Sequence, residues 1–357
     1  MSITLSAEKL TAAQSLAELL VPGRRVCLTT HVNPDGDGLG SEVALVLLLR
    51  ELGIEALIAN PTPTPARFDF LFRDVAKADR TSEAVKTLRG ADAIVVVDIS
   101  DLGRLGMLSG TVAERGVPVA CIDHHTSPGT LPPGPRYVDP GAAATGELVA
   151  EIALANRWPL TGQVARALYV AMMTDTGGFR FSNTHPRTLR IAAELLETGL
   201  DPESIYLDVY ANAPVGRPRL LAEALQTLVV EPEIGLGWVT VPPGAVERHG
   251  VTVDDLEGIV EFPRSVAGVR MAMLFREMSQ GRVKVSLRSV GDVDVAAFAR
   301  PYGGGGHVHA SGMSLPGSLP EVQARVLEAA RRFLNGEPSA LNHQPSAVSH
   351  QPSVADG

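Results

Sequence analysis

Lysine is nearly missing from this chain of 357 residues, where only Lys9, Lys77, Lys86 and Lys284 occur, and aromatic residues make up only 4% of it. With a net charge of −9, no overall basic surface draws the protein onto duplex nucleic acid, so any anionic ligand has to be attracted locally. The scarcity of aromatics argues against a long stacking channel for single strands. The two cysteines, Cys27 and Cys121, each sit inside an apolar run; they read as small buried hydrophobes and exclude a disulfide framework. No apolar stretch is long enough to cross a bilayer, since Val43 to Leu49 is far too short, and no leader segment is read. A cytoplasmic protein with no membrane partner is the expectation.

What is present is an ordinary core composition, 45% apolar and 20% charged, in a length that suits two domains. Apolar runs near residues 26, 55, 93 and 118 alternate with helical segments at Ser6–Leu20 and Gly40–Leu52, the βα pattern of a parallel sheet. Thr145 opens what reads as a capped helix, and Thr161–Met173 as another. Residues 186–227 are mainly helical, broken at Pro202 and around Pro214–Pro218. From about Val229 shorter strands follow, at Gly237–Val241, Val269–Phe275 and Arg282–Leu287. The expected architecture is therefore α/β, with a catalytic parallel-sheet domain over 1–188, a helical linker over 189–227, a smaller mixed α/β domain over 228–336, and a polar, disordered tail over 337–357.

The most informative stretch is Asp123-His124-His125, at the end of the apolar run Val117–Ile122. In open α/β sheets, ligands collect at the carboxyl ends of strands. Other segment ends repeat the pattern: His31, Asp35 and Asp37 after Arg25–Thr30, Asp98 after Ala93–Val97, and Asp175 after Ala167–Met173, which counts here as a fourth strand end. A turn or helix cap accounts for any one such aspartate, and is the favoured reading of Asp101 and Asp139. It does not account for recurrence at four ends. His31, Asp35, Asp37, Asp98, His124 and Asp175 supply the carboxylate and imidazole donors that a pair of divalent cations needs. A further signal is Gly303–Gly306 followed by His307, a loop whose backbone can approach a ligand closely, with Arg288 and Ser289 ending a nearby strand.

These motifs, in this order, resemble the DHH phosphoesterase superfamily, in its subgroup with a glycine-rich DHH-associated domain, and the resemblance covers all but the tail. Within the superfamily the similarity is to bacterial bifunctional oligoribonucleases and pAp phosphatases. It implies two manganese ions, with magnesium or cobalt as substitutes: one held by His31, Asp35 and Asp98, the other by Asp37, Asp98, His124 and Asp175. Asp123 would orient a histidine, His125 and Arg104 would contact phosphate, and Arg288, Ser289, Gly304, Gly305, Gly306 and His307 would hold the distal part of the substrate. The implied activity is two-metal hydrolysis of short oligoribonucleotides to nucleoside 5′-monophosphates, with removal of the 3′-phosphate of pAp; short DNA is a further substrate, and a homodimer is implied. Alternatives are a cyclic-dinucleotide or pApA phosphodiesterase, a RecJ-like single-strand exonuclease, a family II pyrophosphatase, and a non-catalytic nucleotide-binding regulator.

Overall fold

A computed structural model describes residues 5–78, 81–126 and 129–336. The tail expected over 337–357 lies outside the described residues. The chain divides into two compact units, Met1–Asn212 and Ala213–Gly357.

The first unit begins with helix α1 (Ala7–Ala17), strand β1 (Arg25–Thr29), helix α2 (Gly36–Glu51), and strands β2 (Glu55–Ala59) and β3 (Lys77–Ala78). Helix α3 (Thr81–Arg89), strand β4 (Ala93–Val97), helix α4 (Leu108–Glu114), and strands β5 (Val119–Asp123) and β6 (Arg136–Val138) follow. Four helices complete it: α5 (Thr145–Ala155), α6 (Gly162–Asp175), α7 (Pro186–Glu197) and α8 (Pro202–Tyr210). The strands form one parallel sheet in the order β3-β2-β1-β4-β5-β6. Alternation along each strand feeds two cores. Val26, Leu28, Val95 and Val97 pack with α1, α2, α5 and α6, whereas Cys27, Ile94, Val96 and Cys121 pack with α3 and α4. Both cysteines are buried and unpaired with each other. Helix α2 buries nearly its whole circumference, with Leu39, Val43, Leu45, Val46, Leu48 and Leu49 all inaccessible. Each such side chain contributes roughly 1.5–3 kcal/mol by burial, which fixes the helix that carries Asp37.

Two expectations need correction. Helix α2 starts at Gly36 and not at Gly40, because Asp35 caps it by accepting from the amides of Asp37 (3.0 Å) and Gly38 (3.3 Å). Asp175 stands at no strand end; it is the last residue of helix α6, whose all-round burial gives Ala167–Met173 the apolar look of a strand. The stretch expected as a linker over 189–227 is helical and is shared between the units. Ile191, Leu195, Ile205 and Val209 of α7 and α8 join the first unit's core.

The second unit opens with α9 (Gly216–Leu225), strands β7 (Val229–Glu231) and β8 (Leu236–Thr240), and the short helices α10 (Ala245–Arg248) and α11 (Glu261–Arg264). Strands β9 (Met271–Met278) and β10 (Arg282–Ser289), helix α12 (Val295–Ala299), strands β11 (Gly305–His307) and β12 (Ala310–Pro316), and helix α13 (Leu319–Leu334) complete it. Its mixed sheet runs β11-β12-β10-β9-β8-β7, with only β8 and β9 parallel. One face packs Met273, Phe275, Val285, Leu287 and Met313 against α12 and α13. On the other face, Val239, Ala272 and Leu274 meet Leu220 and Ala224 of α9.

Candidate metal centre and active site

Strands β1 and β4 are neighbours where the strand order reverses, the point at which open parallel sheets gather ligands. His31 lies just beyond β1, Asp98 directly follows β4, Asp123 closes β5, and His124 follows it. Helix α2 brings Asp35 and Asp37 to the same edge, and the end of α6 brings Asp175. The structure thereby gathers all six expected ligands. His31, Asp35 and Asp98 form one group with donor atoms within 4.8 Å of one another, and Asp37, His124 and Asp175 form a second.

Backbone carbonyls set the two histidines. His31 Nδ1 lies 2.9 Å from the Val32 carbonyl, and His124 Nδ1 lies 3.3 Å from the Ala142 carbonyl. A carbonyl can only accept, so each Nδ1 carries a proton and each ring turns its Nε2 to the pocket. His31 Nε2 is 3.5 Å from Asp98 Oδ2 and 3.9 Å from Asp35 Oδ2. His124 Nε2 is 3.6 Å from Asp37 Oδ2, 3.6 Å from Asp98 Oδ1 and 3.4 Å from Asp175 Oδ2. Ring nitrogens and carboxylate oxygens converge at distances too long for strong hydrogen bonds and suited to a shared cation.

Asp98 belongs to the first group and also reaches His124 of the second. Its backbone is in the left-handed region at φ 57°, which aspartate tolerates better than most residues, and its amide donates to the Ile122 carbonyl at 3.0 Å. Burial opposes its ionisation, but the hydrogen bond with His31 and the neighbouring His125, His31 and His124 rings hold the carboxyl well below the usual range. Asp37 is pushed the other way, by burial and then by the charges of Asp98, Asp175 and Asp35. Asp175 is pushed up to about 7, mainly by burial. Buried carboxyls set as close together as Asp37 and Asp98 favour a compensating positive charge between them.

His125 is placed differently. Its Nδ1 is 2.7 Å from Asp123 Oδ1, so Asp123 orients His125 and not the ligand-type His124. Burial lowers the basicity of this imidazole, but the bond to Asp123 and the charge of Asp98 outweigh it and raise the pKa to about 9. Arg104 is exposed, and its carbonyl accepts from the Val32 amide at 2.8 Å, beside His31. Asp101 and Asp139 follow the bland expectation, accepting from the amides of Gly103 (2.7 Å) and Gly141 (2.8 Å). The sequence missed Thr145 as a functional residue. Expected to cap α5, it sits inside the helix behind Ala144, and its hydroxyl donates to Asp98 Oδ1 at 3.1 Å.

In the second unit, Gly303–Gly306 is less a loop than an edge: Gly305–His307 form β11, paired with β12. Gly306 sits at φ 141°, and a Cβ there would lie 2.4 Å from the Ala310 carbonyl oxygen, so only glycine fits. Gly305, Gly306 and His307 are exposed, and Gly304 is half-buried. Arg288 is half-buried and pairs with Glu261 at 2.9 Å. Ser289 departs from expectation. It is buried, its hydroxyl donates to the Val293 carbonyl at 2.6 Å and lies 3.0 Å from His309 Nδ1, so it pins the strand end and presents nothing at the surface.

The DHH family N-terminal domain matches residues 25–172, and the DHHA1 domain matches residues 240–336. A bifunctional oligoribonuclease and PAP phosphatase NrnA of Thermus thermophilus is 34% identical over 87% of this chain and 90% of its own length. The protein of the same name from Bacillus subtilis is 29% identical over 81% of this chain and 89% of its own. The chain belongs to the DHH family of phosphoesterases. A solved relative, an exopolyphosphatase-related protein from Bacteroides fragilis, superimposes with a TM-score of 0.84 at 27% identity, covering 94% of this chain and all of that one.

As a DHH phosphoesterase, the protein is a hydrolase of phosphoester bonds, and its first unit fits the metal ions that such chemistry uses. The test is the donor set itself: two imidazoles and four carboxylates gathered at one edge, with Asp37 and Asp175 raised chiefly by burial. Among the described residues, no helix is long and apolar enough to cross a membrane.

Proposed function

We propose that this protein hydrolyses short oligoribonucleotides to nucleoside 5′-monophosphates and removes the 3′-phosphate of pAp. The observation that carries the reading is the convergence of both donor groups on Asp98, which has one oxygen toward His31 and the other toward His124. His31, Asp35 and Asp98 would hold one divalent ion, and Asp37, Asp98, His124 and Asp175 the other. Manganese suits the imidazole donors better than magnesium, with magnesium or cobalt as substitutes. Such ions, when bound, supply Lewis-acid activation of water and of the phosphoryl group. The substrate class follows the names of the Thermus and Bacillus relatives.

The chain's own groups divide the remaining work. His125, protonated through Asp123, is a cation for a phosphoryl oxygen. Bound ions would claim the charge of Asp98, leaving Asp123 as the partner that keeps this ring protonated. Arg104 is the second cation at this edge. In the second unit, Arg288 and the exposed backbone of Gly305 and Gly306 beside His307 would hold the far end of the substrate. A short substrate agrees with the scarcity of aromatics for stacking.

The direct test is incubation of the purified protein with manganese, a labelled diribonucleotide and pAp. Nucleoside 5′-monophosphates from the first and AMP from the second are expected. Both substrates intact after prolonged incubation would overturn the reading.

A further inference from the structure

We propose that Thr145 is a positioning residue for the metal centre, and that the segment from Ala142 to Glu147 is a strap setting the geometry of the Asp37, His124 and Asp98 ligands. This role deepens the proposed function and rests on those residues holding a divalent ion.

Several polar groups along the strap are aimed at a ligand or at something that fixes one. The Thr145 amide donates to Asp37 Oδ2 at 2.6 Å and the Gly146 amide to Asp37 Oδ1 at 2.9 Å, so the first turn of α5 grips both oxygens of one carboxylate. The Thr145 hydroxyl donates to Asp98 Oδ1 at 3.1 Å. The Ala142 carbonyl accepts from His124 Nδ1 at 3.3 Å, and that bond aims Nε2 into the pocket. The Ala143 carbonyl accepts from Asn183 Nδ2 at 3.0 Å, and the same amide reaches the Asp175 carbonyl at 3.2 Å. One short segment thus touches three ligand side chains and, through Asn183, the backbone of a fourth.

The strap is locked from behind. Buried Glu147 accepts from the Ala143 amide (3.3 Å), the Thr188 hydroxyl (2.7 Å) and Arg187 Nε (2.5 Å). Gly146 allows the approach from the other side, since a Cβ there would lie 2.4 Å from the Ala171 methyl of α6. Asp37 on α2, Asp175 on α6 and the strap on α5 are therefore held at one spacing by packing as well as by hydrogen bonds. Threonine contributes a donor where both neighbours, Asp37 and Asp98, can only accept when ionised. Its oxygen can be kept by serine but not by valine, which has nearly the same shape.

The test compares the full-length wild type with T145V, T145S and T145A by manganese titration, following free Mn²⁺ by electron paramagnetic resonance and heat by calorimetry. T145V and T145A are expected to weaken the binding of one of two ions by about 10- to 100-fold, the scale for loss of a partner to a metal ligand, with T145S within about threefold of wild type. Thermal unfolding without metal is measured alongside, and T145A carries the comparison should valine prevent folding. Wild-type affinity in T145V or T145A, or equal weakening in T145S, would overturn the role of the hydroxyl. A wild type that binds no manganese would overturn the metal reading itself, and the role of Thr145 with it.

Discussion

The two units carry their chemistry in opposite ways. In the first, His31, Asp37, Asp98, Asp123 and His124 are all buried, each fixed by at least one hydrogen bond or ion-pair contact within the unit. In the second, Gly305, Gly306 and His307 lie exposed on an edge strand, and Arg288 is occupied by Glu261. A buried, internally bonded site is organised before substrate arrives, so losing one member should damage chemistry. An exposed edge acts through what reaches it, so losses there should fall on affinity.

The largest effect is expected at Asp98. Asp98→Ala removes the carboxylate that approaches both His31 and His124, and turnover of a dinucleotide and of pAp should fall by at least about a thousandfold, the scale for a lost electrostatic contributor. Bound manganese should fall with it. Substantial residual activity would remove the metal assignment and end the contrast between the two units.

Next is Asp123→Asn, which leaves the ring of His125 with a neutral partner. A protonated His125 is the active form in this reading, so kcat/KM should decline as pH rises through its pKa, which the bond to Asp123 raises. Without the Asp123 carboxylate the alkaline limb should move down by about one pH unit or more, toward the ordinary histidine value of about 6.5. A pH profile over both proteins measures this directly. Superimposable alkaline limbs would mean that Asp123 does not control that proton.

At the exposed end, Arg288→Ala should raise KM by about tenfold, in the range of one lost charge-assisted hydrogen bond, with little change in kcat. Manganese content should stay at the wild-type level, because the six expected ligands all lie in the first unit. Equal losses in kcat and metal would show that the second unit is not merely a holder of substrate.

Much of the first unit was legible because its ligands stand beside apolar strands, where an aspartate or histidine is conspicuous. Asp175 was legible by type and misplaced by element, since a helix buried on all sides has no polar face to betray its period. Thr145 was invisible for the opposite reason: threonine at a helix start has an ordinary explanation, and only the fold brings Asp98, 47 residues away in sequence, to its hydroxyl. Ser289 misled because a polar residue at a strand end resembles a binding residue, whereas its hydroxyl is consumed by Val293 and His309. Helix α13 carries a readable start in Ser318 and Glu321, a capping box, but the apolar strands before it give no reason to expect a sixteen-residue helix there.

An effect on stability and not on turnover is expected at Glu42. This carboxyl is buried on α2, accepts from Asn60 Nδ2 at 2.8 Å, and leaves its Oε1 without a partner among the described residues. Burial pushes it up to about 8 against the Asn60 hydrogen bond, which lowers it. In the unfolded chain it ionises near 4.5, so its contribution is complete below that pH and is lost as pH rises toward 8. A tenfold change in an ionisation constant is worth about 1.4 kcal/mol, so a few kcal/mol of the decline should belong to Glu42 alone. Asn60 in turn accepts from the Thr30 amide at 3.1 Å, just before His31, so the group lies behind the metal centre without being one of its ligands. Urea unfolding of wild type and Glu42→Gln at pH 5 and pH 8 isolates the contribution, because Asp37 and Asp175 titrate in both proteins. The variant should lose less stability over that interval. Parallel losses would mean that Glu42 is ionised in the native state, and that burial in this unit is compensated even where no ligand role requires it.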